Sequence, residues 1–221
     1  MGEAVTLKKK IGYLGPKGTF TKLAVDSAFN GEEYIAFRTI PECIDAVDRN
    51  EIDIAVVPLE NAIEGTVHLT VDYLVHQVRL PVFAEIVVPI EQHLLTNKQF
   101  SGNLEDIEEI HSHTQAIAQC HQFIHQHIPQ ATIHYTSSTA RAAEIVSESS
   151  KPIVAIGNRL SAEEYGLNIC REKIHDYPNN HTRFAVLAKE KELINIKQPI
   201  KGEKTTLLIT LPSDHAGALH Q

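Results

Sequence analysis

A chain of 221 residues, 43% hydrophobic and 22% charged, is long enough for one large or two small packed cores, so neither a metal nor a disulfide framework is needed to hold it together. Its formal net charge of -8 with scattered lysines excludes a nucleic-acid face, and its apolar runs fall far short of the ~18 residues of a membrane span. With no apolar leader behind MGEAVTLKKK and three widely spaced cysteines, Cys43, Cys120 and Cys170, that suit reduced core thiols, the expectation is a cytoplasmic protein with no membrane partner.

In chain order, Lys10 to Leu14 reads as a short strand that breaks into GPKGTF, residues 15 to 20, where Thr19 caps the helix-patterned TKLAVDSAF. That loop lacks both the GK[ST] ending of a nucleotide P-loop and the three-glycine dinucleotide fingerprint. YIAFRTI is a second strand, and Pro41 opens the helix PECIDAVDRN. IDIAVVPLE is a continuous apolar run of the kind buried on both faces of a parallel sheet, and it is expected to end at Pro58. Glu60 and Asn61 then emerge at a strand end, where open α/β sheets bind ligands, and Gly65 with Thr66 is expected to open the helix VHLTVDYLVHQ.

PVFAEIVVPIEQHLLTN runs long and strand-like through Pro81 and Pro89, as a crossover into a second lobe would. The same grammar then repeats. EDIEEIHSH is a strand, with Ser112, His113 and Gln115 preceding the single predicted helix AIAQCHQFIHQHI. ATIHY is a strand, Ser138 and Thr139 cap TARAAEIVSE, and Asn158 closes the strand PIVAIGN ahead of the helix LSAEEYGL. Finally NNHTRFAVL sets Asn180, Thr182, Arg183 and Phe184 at the entrance to an apolar strand, where polar groups on a rigid support can face a ligand.

Thirteen histidines raise the question of a metal. His121 and His125 stand four apart, but no acidic residue lies between them in the HExxH manner, and HQFIHQH reads as a solvated helix face, so no metal is expected. Ser112 lacks a GxSxG elbow and no cysteine has an evident base beside it, which argues against a covalent nucleophile.

Taken together, GPKGTFT, PLENAIEGTV, SHTQAIAQC, TSSTARAA, AIGN followed by YGL, and NNHTRF resemble, in order and at similar spacings over about residues 10 to 190, the catalytic region of prephenate dehydratases. Two departures are visible: Ala62 stands where the family usually has serine, and Thr114 where it usually has proline. The resemblance implies an α/β fold of two lobes, similar to type 2 periplasmic binding proteins, with the active site in the cleft. The catalytic domain would span residues 10–203, with lobe 1 at about 10–82 plus 178–203, lobe 2 at about 83–177, and crossings near 80–92 and 173–182. It also implies the conversion of prephenate to phenylpyruvate, carbon dioxide and water on the route to L-phenylalanine, with no cofactor. Arogenate as substrate, or a non-catalytic two-lobed binding module, are the alternatives left open.

By the same resemblance Thr182 is the donor at the leaving hydroxyl, Arg183 the clamp for a substrate carboxylate, and Ser112, Gln119, Asn61 and Asn180 orient the substrate and stabilise developing charge. Glu60 either holds a donor in place or sits protonated by desolvation. Thr19, Gly65, His113, Gln115, Ser138, Thr139, Asn158 and Phe184 complete the expected substrate-binding set. Residues 204–221 resemble the truncated start of an ACT regulatory domain, with Gly217, Ala218 and Leu219 matching its GAL motif, so L-phenylalanine would be an effector only if that domain were complete. A homodimer or homotetramer is the expected assembly.

Overall fold

The computed structural model describes residues 8–190, 196 and 197. Gly217, Ala218, Leu219 and the rest of the expected regulatory start lie outside the described residues.

The first lobe is built on a six-stranded sheet. Its elements are β1 (Lys10–Leu14), α1 (Phe20–Ala28), β2 (Glu33–Phe37), α2 (Ile40–Asp48), β3 (Ile54–Asn61), β4 (Gly65–Thr66), α3 (His68–His76), β5 (Val82–Pro89) and, at the far end of the chain, β11 (His181–Leu187). The strand order is β2-β1-β3-β11-β5, with the short β4 paired to the end of β3. Strands β1, β2 and β3 run parallel and β11 runs antiparallel between β3 and β5. Period-2 alternation buries both faces of this sheet. Ile54, Val56, Phe184 and Val186 pack with Ala24 and Val25 of α1, while Ala55, Val57, Ala185 and Leu187 pack with Cys43, Ile44 and Val47 of α2. Each fully buried valine, isoleucine, leucine or phenylalanine among them contributes roughly 1.5–3 kcal/mol over an exposed one.

The second lobe is a five-stranded sheet of order β10-β6-β9-β7-β8, formed by β6 (His93–Thr96), β7 (Glu109–Ser112), β8 (Thr132–Tyr135), β9 (Ile153–Gly157) and β10 (Asn168–Arg171). One face carries α4 (Thr114–Gln119) and α5 (His121–His127), and the other carries α6 (Thr139–Ser147); α7 (Arg159–Glu164) precedes β10.

Several sequence expectations are corrected here. Strand β5 pairs with β11 over its whole length, so Val82–Pro89 belongs to the first lobe: the chain crosses after Pro89, inside the expected 80–92, and the lobe boundary lies there instead of between residues 82 and 83. Strand β3 continues through Pro58 to Asn61. Pro58 lies past the end of the β1 ladder and at a register shift against β11, a bulge of the kind where a missing N–H is tolerated. Gly65 and Thr66 form β4 against Asn61 and Glu60, leaving α3 to begin at His68. The predicted long helix after His113 is broken into α4 and α5 at Cys120, whose backbone departs from helical values (φ -119°, ψ 19°). Strand β10 was not anticipated.

The two crossings run side by side. Ile90 N donates to Asn180 O at 2.9 Å, Ile174 N donates to Gln92 O at 2.9 Å, and Gln92 N donates to His175 Nδ1 at 3.2 Å. The second lobe is therefore one uninterrupted insert between β5 and β11. No described helix is long and apolar enough to cross a membrane.

Candidate active site

Between the lobes lies a cavity of about 520 Å³ whose walls come from both sheets. The first lobe contributes Thr19, Phe20 and Thr21 at the start of α1, Asn61, Glu64, Gly65 and Thr66 around the β3–β4 turn, and Thr182 and Phe184 from β11. The second contributes Gln92, then His113 and Gln115 at the start of α4 and Gln119 at its end, and Ser137, Ser138 and Thr139 at the start of α6. Among the described residues that line it there is no lysine or arginine, and Glu64 is the one carboxylate.

Helix starts supply the positive potential instead. Thr19 Oγ1 accepts from Lys22 N at 3.3 Å, Ser138 Oγ accepts from Arg141 N at 3.0 Å, and His113 Nδ1 accepts from Gln115 N at 3.4 Å. Each cap satisfies one amide and leaves others of the first turn for a ligand. α1 and α6 approach from opposite lobes, so an anion in the cavity meets two helix N-termini at once.

Thr182 sits beside Asn61. The two are register partners across β11 and β3, and Asn61 Nδ2 donates to Thr182 Oγ1 at 2.9 Å and to Asn180 Oδ1 at 2.9 Å, with His181 O at 3.3 Å. Asn61 Oδ1 accepts from the backbone N–H groups of Ile63 and Glu64 at 3.0 and 3.1 Å. Both ends of the Asn61 amide are thus assigned by their partners. Thr182 Oγ1 is an acceptor toward Asn61, no described residue accepts its hydrogen, and its proton is free to point into the cavity.

Among the described residues, side-chain hydrogen bonds join the lobes across the cleft at two places. At one, Asn158 Nδ2 and Ser161 Oγ both donate to Gly18 O, at 2.9 and 2.8 Å. At the other, Gln115 Nε2 and Gln119 Nε2 both donate to the Glu64 carboxylate, the latter at 3.3 Å, and Gln92 Nε2 continues the chain by donating to Gln119 Oε1 at 3.3 Å. Burial raises the Glu64 pKa from its ordinary value, against the opposing pull of the Gln119 bond and of charge on His113.

Of the residues expected from sequence, Thr182, Asn61, Gln119, Thr19, Gly65, His113, Gln115, Ser138, Thr139 and Phe184 line the cavity. Asn180 is not on the wall; it stands behind Asn61 and accepts its bond. Four residues are placed otherwise. Arg183 pairs with Glu60 at 3.0 Å and lies 3.8 Å from Glu85, and neither Arg183 nor Glu60 lines the cavity, because alternation along β11 turns Arg183 away from the side shared by Thr182 and Phe184. Ser112 is fully buried and donates to Ile156 O at 2.7 Å, a sheet contact. Asn158 caps α7 and bridges to the first lobe. Sequence reasoning missed Glu64 and Gln92. The signal for Glu64 was in ENAIEG, three residues beyond Asn61, where a tight turn brings the carboxylate back to the cavity.

Away from the cavity, Glu109, His111 and His134 bring three possible ligand atoms within 4.8 Å of one another. Their arrangement is accounted for by a hydrogen bond from His111 Nε2 to Glu109 at 2.8 Å and by stacking of the two imidazoles.

The prephenate dehydratase family matches residues 11–192. The chain is 47% identical over 218 residues to a prephenate dehydratase of Bacillus subtilis (strain 168), covering 96% of this chain and 76% of that protein. Among solved structures it is similar to prephenate dehydratase from Arthrobacter aurescens in complex with L-Phe, with TM-score 0.77 and 32% identity, covering 96% of this chain and 69% of that one. It is also similar to a quorum quenching acylase, with TM-score 0.71 and 28% identity, covering 82% and 64% of the two chains.

Proposed function

The chain belongs to the prephenate dehydratase family, and from that membership we propose how its cavity turns prephenate into phenylpyruvate, carbon dioxide and water. The two substrate carboxylates face the N-termini of α1 and α6, the only strong positive potential that the described lining offers. The ring hydroxyl lies at Thr182. As the C–C bond to the departing carboxylate breaks, its electrons pass into the ring, the C–O bond at the opposite carbon breaks, and aromaticity drives the step. Hydroxide is a poor leaving group, and the free Thr182 proton is placed to meet it; positioned donation of this kind is typically worth ~10²- to 10⁴-fold. Asn61 fixes which way that proton points, and Gln119 and Gln115 close the opposite wall.

The observation that carries this reading is the Asn61–Thr182 bond inside an interlobe cavity that offers helix N-termini to an anion. An acyl-transfer reading lacks its nucleophile–base pair: His113 Nδ1 accepts Gln115 N, and no described hydrogen bond joins His113 to Ser137 or Ser138. The catalytic unit is assigned to the two lobes together, in a cytoplasmic homodimer or homotetramer, with L-phenylalanine as effector where a complete regulatory domain is attached.

Turnover of prephenate at neutral pH, followed as phenylpyruvate absorbance in base, tests the assignment, with arogenate in parallel. The expected result is prephenate turnover by the wild type and a loss of at least ~100-fold in kcat for Thr182→Ala with its fold intact. Prephenate binding without turnover of either substrate would replace the enzyme with a sensing module.

A further inference from the structure

Thr182 can hand on a proton but cannot be its source, since an alcohol does not ionise near neutral pH. The source must be a group that titrates, faces the cavity and is refilled from solvent. Among the described residues, the lining holds two titratable side chains, Glu64 and His113. His113 uses Nδ1 to cap α4, whereas Glu64 is an exposed residue on the cavity wall, within reach of solvent.

We propose that Glu64 enters turnover as a neutral carboxylic acid and supplies the proton that leaves with the ring hydroxyl as water. The inference rests on the dehydratase reading of this cavity. Two independent observations point to it. First, a dianion bound where no lysine or arginine lines the wall would confront the one carboxylate there, and two like charges in one site are relieved when the carboxylate takes up a proton. Burial already raises the Glu64 pKa before any ligand adds its charge; charge on His113 opposes the shift, Gln115 and Gln119 bring no charge, and the starts of α1 and α6 bring no ionisable side chain to the lining.

Second, the amide relay has a polarity that depends on Glu64. An ionised carboxylate only accepts, which fixes Gln119 and then Gln92 so that the relay ends on Gln92 Oε1, a buried oxygen with no described partner. A protonated Glu64 can donate to Gln119 instead. Both amides then reverse, and the same end of the relay becomes an N–H, which suits an anionic ligand as a bare carbonyl does not. The step balances: the electron pair of the C–C bond stays in the ring as carbon dioxide leaves, the C–O pair departs with the hydroxide, Thr182 passes it a proton to form water and takes the Glu64 proton in turn, and Glu64 recovers a proton from solvent after product leaves.

The test combines kinetics with proton uptake in wild type, Glu64→Gln and Glu64→Asp. Glu64→Gln keeps an amide that can bond to α4, so folding is checked by circular dichroism and the bridging contact is largely retained. The expected result is a kcat lower by at least ~100-fold with KM changed less than ~3-fold, and loss of the alkaline limb of the kcat profile, which Glu64→Asp retains at a shifted position. Prephenate binding to Thr182→Ala, measured by calorimetry in two buffers of different ionisation heat, should take up close to one proton, and none when Glu64→Gln is added. A Glu64→Gln enzyme that keeps the alkaline limb, or unchanged proton uptake, overturns the proposal and leaves Glu64 as a bridge between lobes. A wild type that takes up the proton yet turns over no prephenate overturns the dehydratase reading, and the proton-donor role falls with it.

Discussion

Asn61 Nδ2 reaches Thr182 Oγ1 at 2.9 Å across a directly paired position of two antiparallel strands, so the orientation of the Thr182 hydroxyl is set by the sheet and not by a loop. Asn61→Asp tests this. A carboxylate accepts where the amide donated, so the Thr182 proton turns back toward residue 61 and away from substrate. We expect kcat to fall by roughly 100-fold or more with a small change in KM, measured by steady-state turnover of prephenate. An unchanged kcat would show that the hydroxyl finds its orientation from substrate alone.

Arg183 gives a contrasting prediction. Its guanidinium is held by Glu60 and lies near Glu85, outside the cavity wall. Arg183→Met should cost about 1 kcal/mol or less, because the pair is only partly buried, and should leave KM for prephenate within ~3-fold. A rise of tenfold or more in KM would restore Arg183 as a substrate clamp.

Gly18 carries φ +81°, and a Cβ there would meet the Ser161 backbone at 3.2 Å. Gly18→Ala should therefore destabilise by about 1–2 kcal/mol, since the strained conformation and the tight contact act together. Asn158→Ala should cost a similar ~0.5–2 kcal/mol through the lost cap of α7, and it removes the bond to Gly18 O as well. Both are read as thermal midpoints, lower by roughly 2–8 °C for Gly18→Ala and roughly 1–8 °C for Asn158→Ala in a chain of this size.

Burial pushes the Cys43 thiol up to about 12, and it raises Cys120 as well, with Asp176 adding to the effect. Alkylation requires the thiolate, so at pH 8 both should resist iodoacetamide, while the half-buried Cys170 is labelled first. Peptide mapping after brief treatment is expected to find label on Cys170 alone, with activity retained. Label on Cys43 or Cys120 in the folded protein would contradict their burial.

Much of this was legible in the sequence because the signals are local. Thr19 and Ser138 each stand at the turn between an apolar run and a helical pattern, and each caps the helix expected of it; Asn158, read as the end of a strand, proves to cap α7 as well. The β5 edge was harder: Pro81 and Pro89 frame a strand whose partner, β11, lies nearly a hundred residues away, and no local pattern names that partner. Glu60 and Glu64 show the same limit on a smaller scale. Both are acidic and close to Asn61, yet pairing with Arg183 takes one away and a turn brings the other in. Arg183 itself could have been placed, since Thr182, Arg183 and Phe184 must alternate sides in a strand; the weight given to a cation near an anionic substrate obscured that.

The adjacent crossings have a consequence for how selectivity and chemistry can change separately. Thr182, Asn61 and Glu64 all belong to the lobe whose chain is interrupted, while α4 and α6 arrive on a single inserted segment whose ends meet where Ile90 bonds to Asn180. That segment is a natural cassette. Exchanging residues 91–179 between homologous chains transplants the second lobe's share of the cavity wall, Gln92, Gln115 and Gln119 included, as one piece and leaves Thr182 and Asn61 in their own sheet, so new substrates can be tried against an unaltered Asn61–Thr182 pair.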